Sequence, residues 1–356
     1  MRILFLSDKS QNLSSWVKAL EKNKNVVTRI WSMGKVERKF FSRLKRSLNI
    51  LFAPIKVKKI IKEYNPDILI GYRIPSYGFI STLTNFKPVV VTAQGASDLW
   101  PPNSKILWLK KIILKYTINR SDVVHVWASH MAENMKNFGA SKEKLFIMSR
   151  GINLNDFFIS NDMENRSENK LRLICTRSMY EEYQHLEILR ALVLLKQKFE
   201  FDFECVFIGS GPLKTSLIEF SEKNNLKNEV KFLGRVDNKN LPNLLNKSHI
   251  YISLPATEGL SASLLEAMAC GCLPIVSNLP GNSELIRDGF NGFLVDPKSP
   301  LKIAERIQKV WKEKNMLYNI SKINSKIIKE DFNIDNNVKS FLKKYSRLIK
   351  EYENKK

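Results

Sequence analysis

Long apolar runs are missing from these 356 residues. No segment approaches the roughly 18 apolar residues that a bilayer-spanning helix needs. The opening Met1-Arg-Ile-Leu-Phe-Leu-Ser-Asp8 is interrupted at Asp8 and Lys9, short of the ~7–15 apolar residues of a secretory leader. It reads as a first buried strand, and the protein is expected in the cytoplasm. Cysteine is scarce: Cys175, Cys205, Cys270 and Cys272. Three lie in or beside apolar runs, which fits reduced, buried thiols rather than a disulfide frame. Histidine is scarce too. His125, His130, His185 and His249 are scattered, and satisfied structural roles are expected for all four. Cys270-Gly-Cys272 has no histidine near it in sequence, so no zinc cluster is written there.

Acidic residues are short in the first half. Residues 1–150 hold 27 Lys and Arg against 9 Asp and Glu, a net +18, whereas residues 151–356 hold 31 against 26, a net +5. The first half therefore meets something acidic: anionic lipid, nucleic acid or an acidic substrate. Nucleic acid is disfavoured, because no helix-turn-helix, zinc or aromatic-strand signature accompanies the charge.

What is present is an ordinary globular balance, 44% hydrophobic and 26% charged. At roughly 100–200 residues per domain the length points to two domains. Short apolar runs alternate with segments of helical period. Ile3–Ser7, Val26–Ile30, Asp67–Ile70, Val89–Ala93 and Val123–Trp127 read as strands buried on both faces. A polar stretch at Ser160–Asn169 reads as a linker. The alternation then restarts with Leu171–Cys175, Phe203–Ile208, Val230–Leu233, Ile250–Leu254 and Leu273–Ser277. That order predicts two doubly wound parallel sheets in tandem. Val338, Phe341, Leu342, Tyr345 and Leu348 predict a final helix over 335–356.

The densest motif runs from Glu258-Gly-Leu-Ser-Ala-Ser-Leu-Leu-Glu266 through Cys270-Gly-Cys272, Pro280-Gly281 and Asn291-Gly292. A strand ends near Leu254, a loop carries Glu258 and Gly259, and a helix starts near Ser261. The first-turn amides of such a helix form an anion site, favoured by the helix dipole. Taken alone, two glutamates near a helix start are equally a solvated face. Together with the following run of small residues and turns, the stretch resembles the family-4 retaining glycosyltransferases, of GT-B architecture. That resemblance implies two Rossmann-like domains facing a cleft: an acceptor domain over 1–165, a nucleotide-sugar donor domain over 166–334, and a C-terminal helix crossing back.

The resemblance also implies residue roles. The first-turn amides around Ser261 and Ala262 would hold the donor diphosphate, Glu266 the ribose and Glu258 the sugar, with Gly259 and Leu260 also at the donor. Cys175-Thr-Arg177 matches the family's diphosphate arginine, whose cation would stabilise the leaving group. Gly209-Ser-Gly211 matches a Gly-rich turn, and Gly234-Arg235-Val236 the segment that meets the base. The family's usual lysine, six residues after the arginine, is here Tyr183, able to donate only a neutral hydrogen bond. No Asp-x-Asp pair occurs anywhere, so no metal or other cofactor is expected; helix dipole and Arg177 would carry the phosphate charge.

On the acceptor side, Gln94-Gly95-Ala-Ser-Asp98 follows a strand, with Gln94 where the family often has histidine. Asp98 would accept from an acceptor hydroxyl; a simple turn role is the alternative. Ser149-Arg150-Gly151-Ile-Asn153 resembles a family turn, with Arg150 and Asn153 as departures. The loop after the first strand, Asp8–Asn12, lacks the family's glycine pair, which puts a backbone approach to phosphate there in question.

Lys35–Lys62 holds ten basic residues and one acid, with Phe40, Phe41, Leu44, Leu48, Leu51 and Phe52 on one helical face. It reads either as a membrane-surface helix or as a core-packed helix with a solvated basic face. Residues 105–120, with five basic residues and no acid, add to that surface. The expected function is transfer of a hexosyl or N-acetylhexosaminyl group from a nucleotide sugar to a glycan or lipid-linked glycan. Its expected setting is polysaccharide or lipopolysaccharide biosynthesis on the inner face of the cytoplasmic membrane. A catalytically silent subunit and a nucleotide-sugar epimerase are the alternatives.

Overall fold

The computed structural model describes residues 1–8, 11–34, 40–93, 107–160 and 170–355; the side chains of 11–12, 40–48, 51 and 314 are not described. Gln94 and Asp98 lie outside the described residues, as do the expected 165/166 boundary and most of the expected linker.

The first sheet has six parallel strands: β1 (Arg2–Leu6), β2 (Val27–Trp31), β3 (Ile68–Tyr72), β4 (Val89–Ala93), β5 (Val123–Val126) and β6 (Leu145–Ile147), in the order β2-β1-β3-β4-β5-β6. Its central strands open Ile-Leu-Ile, Val-Val-Val and Val-Val-His and are buried along their whole length, as a sheet covered on both faces requires. The crossovers are α1 (Gln11–Glu21), α2 (Phe40–Tyr64), α3 (Phe79–Leu83), α4 (Leu107–Arg120) and α5 (Ser129–Asn137). Right-handed crossover sets α2, α3 and α4 on one face and α1 on the other; α3 packs on both α2 and α4.

The second sheet repeats the plan. Its strands are β7 (Leu171–Cys175), β8 (Phe203–Ile208), β9 (Val230–Gly234), β10 (Ile250–Ser253), β11 (Leu273–Ser277) and β12 (Phe293–Val295), in the order β12-β11-β10-β7-β8-β9, all parallel. Between and after them run α6 (His185–Gln197), α7 (Lys214–Lys223), α8 (Leu241–Asn246), α9 (Ala262–Ala269), α10 (Pro280–Ser283), α11 (Pro300–Lys312) and α12 (Lys314–Asp331). Leu173, Cys205, Phe207, Ile252 and Ile275 form the middle of its core.

The last helix, α13 (Ile334–Glu353), belongs to the first unit, so the compact units are Met1–Arg150 with Ile334–Lys356, and Gly151–Asn333. α13 packs beside α1, with Trp16 against Phe341 at 4.4 Å between ring centres and His125 against the same ring at 4.6 Å. Four strands have the bounds expected from sequence, and most of the others differ by a residue or two. β6 and β12 were not expected. At three residues each, they are too short to show a period.

Candidate functional site

β7 and β10 are hydrogen-bonded neighbours, and the strand order reverses between them. In an open parallel sheet such a reversal opens a crevice at the carboxyl ends of the strands. Thr176-Arg177 leaves β7 there, and the loop 254–261 leaves β10 beside it.

One cation organises the crevice. Arg177 Nη2 donates to Glu258 Oε2, and Nη1 donates to Ser261 Oγ at 3.0 Å. The Tyr183 ring lies against the guanidinium, with Cζ 4.4 Å from the ring centre. Side-chain exposure is 11% for Arg177 and 14% for Glu258, so solvent screens their attraction little. Burial opposes the Arg177 charge. The Glu258 carboxylate, and after it Tyr251 and Tyr183, outweigh that and raise its pKa above the ordinary value.

Ser261 is the N-cap of α9, and its Oγ accepts from Leu264 N at 3.3 Å. The same oxygen therefore holds both the helix start and the arginine. The first-turn amides and the positive end of the helix dipole lie beside a buried cation, an arrangement that attracts a multiply charged anion.

Tight backbone packing fixes these loops. Gly209 sits at φ +138, and a Cβ there would run into the Arg177 carbonyl oxygen; one at Gly211 would meet that of Met179. Met179 N donates to Ser210 O at 3.2 Å, so the Gly-Ser-Gly turn clamps the segment after Arg177. Gly281 plays the same part for the other loop, its missing side chain making room for the Gly259 carbonyl. Ala256 N donates to Glu182 O at 2.8 Å, which joins the Tyr183 turn to the Glu258 loop.

The structure thus brings together Arg177, Tyr183, Glu258 and Ser261, although up to 84 residues separate them in sequence. Gly259 N donates to Glu258 Oε1 at 3.2 Å, Leu260 is buried, and Ala262 opens α9. Glu266 lies one turn further along α9, half-buried. Arg235 and Val236 follow β9 at the same edge, two strands from β7; Arg235 is exposed, and neither is joined to the arginine cluster.

One histidine departs from expectation. His125 pairs with the Met148 carbonyl and His249 accepts from Arg172 N, but neither ring nitrogen of buried His185 makes a hydrogen bond of normal geometry. Its ring lies by Tyr183 and Phe207. Burial, reinforced by the Arg177 charge, lowers its pKa to about 4. It opens α6 directly after Gln184, a residue in the left-handed region at φ 48, and nothing in the sequence marks that placement. Among the described residues no group of three or more His, Cys, Asp or Glu gathers as for a metal ion.

Two family models match the chain: glycosyltransferase family 4 over residues 26–156 and glycosyl transferases group 1 over 158–327. The chain belongs to this glycosyltransferase family. An uncharacterised glycosyltransferase of Methanocaldococcus jannaschii is 29% identical over 243 residues, covering 68% of this chain and 57% of its own. CapH of Staphylococcus aureus, a capsular polysaccharide biosynthesis glycosyltransferase, is 25% identical over 263 residues, 72% of this chain and 70% of its own. The N,N'-diacetylbacillosaminyl-diphospho-undecaprenol alpha-1,3-N-acetylgalactosaminyltransferase of Campylobacter jejuni is 25% identical over 232 residues, 62% and 58% of the two chains. The chain spans between just over half and about 70% of the length of these relatives. Its fold matches Anabaena HepE, solved with UDP and glucose, at a TM-score of 0.79 and 18% identity over 98% of this chain and 100% of that one. The GT-B architecture of the family is thereby shown.

Proposed function

We propose that this glycosyltransferase moves a hexosyl or N-acetylhexosaminyl group from a uridine diphosphate sugar to a hydroxyl of a lipid-linked glycan, with retention, in the building of a surface polysaccharide. The observation that carries the reading is the buried Arg177 tied to Glu258 and to the Ser261 cap of α9. A donor diphosphate settles on the first-turn amides of α9 and takes the Arg177 guanidinium from Glu258. Breaking the anomeric C–O bond then builds charge on the leaving phosphate, where Arg177 is already in place. Glu258, released, turns to the sugar hydroxyls, and Glu266 holds the ribose. The acceptor hydroxyl attacks on the face the phosphate leaves, and the phosphate takes its proton; Gln94 and Asp98 are assigned to acceptor binding.

The UDP bound by HepE supports the donor, and the diphospho-undecaprenol in the Campylobacter relative's name supports the acceptor. The net +18 of residues 1–150 supports work against the anionic inner face of the cytoplasmic membrane. The test is a thermal-shift screen of nucleotide sugars, then transfer to a prenyl-diphosphate sugar with the new linkage read by NMR. A UDP-sugar shift lost in Arg177→Ala, and transfer with an unchanged anomeric configuration, are expected. Wild-type turnover in Arg177→Ala sinks the site, and an inverted product sinks the retention.

A further inference from the structure

Helix α4 is apolar on the side it shows to water. Leu114, Thr117 and Ile118 are buried. The opposite stripe carries Trp108 at 65% exposure, Ile112 at 56%, Leu109 and Tyr116. A surface helix of a globular protein turns charged and polar residues outward; α4 interleaves Lys110, Lys111 and Lys115 with these side chains, closes on exposed Asn119 and Arg120, and has no acid at all. α2 repeats the pattern. Ala53 and Val57 are in the core, while Phe52 and Ile55 are exposed on the stripe that continues through Lys56 and Lys59. The two helices lie in one layer with α3 packed between them. Crossover helices run opposite to the strands, so Trp108 and Leu109 sit at the end of α4 nearest the carboxyl edge of the first sheet.

We propose that this layer is a bilayer-docking surface, with Trp108, Leu109 and Ile112 entering the acyl boundary and the lysines bound to anionic headgroups. The proposal rests on the lipid-linked acceptor reading and deepens it: attachment uses apolar insertion, not charge alone. Three observations select a bilayer as the occupant. Tryptophan and tyrosine beside lysine is the composition of a membrane interface. A second copy across a two-fold axis would set the same patch against itself, lysine facing lysine with no acid to pair. A helix of 14 residues is too short to cross a bilayer but long enough to lie in its surface. Docked this way, with the helices lying in the surface and the strands parallel to it, the carboxyl edge of the first sheet runs alongside the leaflet that holds a lipid-linked substrate.

The experiment is co-sedimentation of the full chain with phosphatidylglycerol-containing and with pure phosphatidylcholine vesicles, at low and at high salt. Wild type is expected to prefer the anionic vesicles and to keep measurable binding at high salt, because apolar insertion is not screened. Trp108→Ser with Ile112→Ser is expected to lose about tenfold or more in partitioning, with the UDP thermal shift intact. Equal partitioning of this variant and wild type overturns insertion while leaving charge-driven docking in place. No vesicle binding by wild type overturns both. A concentration-dependent dimer abolished by the same substitutions reassigns the patch to a second copy and overturns the proposal.

Discussion

Arg177 is held by three unlike contacts: a carboxylate, a hydroxyl and an aromatic plane. The lysine that the family usually places at position 183 would repel a neighbouring guanidinium; the tyrosine ring supports it instead. Tyr183→Phe keeps the plane and should keep donor affinity near wild type. Tyr183→Leu removes a cation–π contact of about 1 kcal/mol and should raise the UDP dissociation constant several-fold by calorimetry. Glu258→Ala should abolish transfer and also lower the melting temperature, since it strands a buried cation at a cost of about 3 kcal/mol. Saturating UDP should restore more of that stability than it adds to wild type. A second residue-scale effect is titration. Burial holds His125 and His185 each at a pKa of about 4, against about 6.5 in the unfolded chain. Between these values the unfolded chain takes protons that the folded chain refuses. Stability contributed above about pH 6.5 is lost as pH falls towards about 4, on the order of 3 kcal/mol per ring. His125→Gln should flatten part of that slope in denaturation midpoints measured across the window.

At the scale of elements, the N-cap of α9 and the hold on Arg177 share one oxygen atom, Ser261 Oγ. Ser261→Ala removes an N-cap worth about 1 kcal/mol and the Arg177 hydrogen bond with it. It should weaken UDP binding by about tenfold, a hydrogen bond to a charged group being worth about 1.5–3 kcal/mol, and Ser261→Thr should recover most of the loss. How much of this was legible in sequence follows from locality. Val89–Ala93 and Leu273–Ser277 were readable because a strand buried on both faces writes itself as a near-continuous apolar run. The helix start at Ser261 was readable because a cap and small residues are local marks. The Arg177–Glu258 pair joins residues 81 apart, and Tyr183 meets Arg177 only because a short turn folds back. No local window of sequence contains the first pair; the second lies within seven residues, but no local pattern marks the turn that closes it. The apolar solvent face of α4 was hidden for another reason. Helical period shows which residues share a face but not which face the sheet takes, and both faces of α4 are apolar.

Across the whole molecule the chain leaves the first unit at Arg150 and re-enters it at Ile334. The first sheet therefore depends on α13, whose Phe341 contacts His125, Phe146 and Trp16, while Asn337 donates to the Ser149 carbonyl and Tyr352 to Asp122. Truncation after Asn333 should strip hydrogen-exchange protection from β1, β4 and β5 while β7, β8 and β10 stay protected. Uniform loss across both units would contradict that division. On the ribosome the same connection becomes a matter of timing. Roughly 180 residues of the second unit must be translated between Arg150 and the helix that seals the first, a delay on the order of ten to forty seconds at about 5–20 residues per second. Throughout it the nascent amino-terminal sheet waits with one greasy flank bare, and the half of the protein made first is the half that matures last.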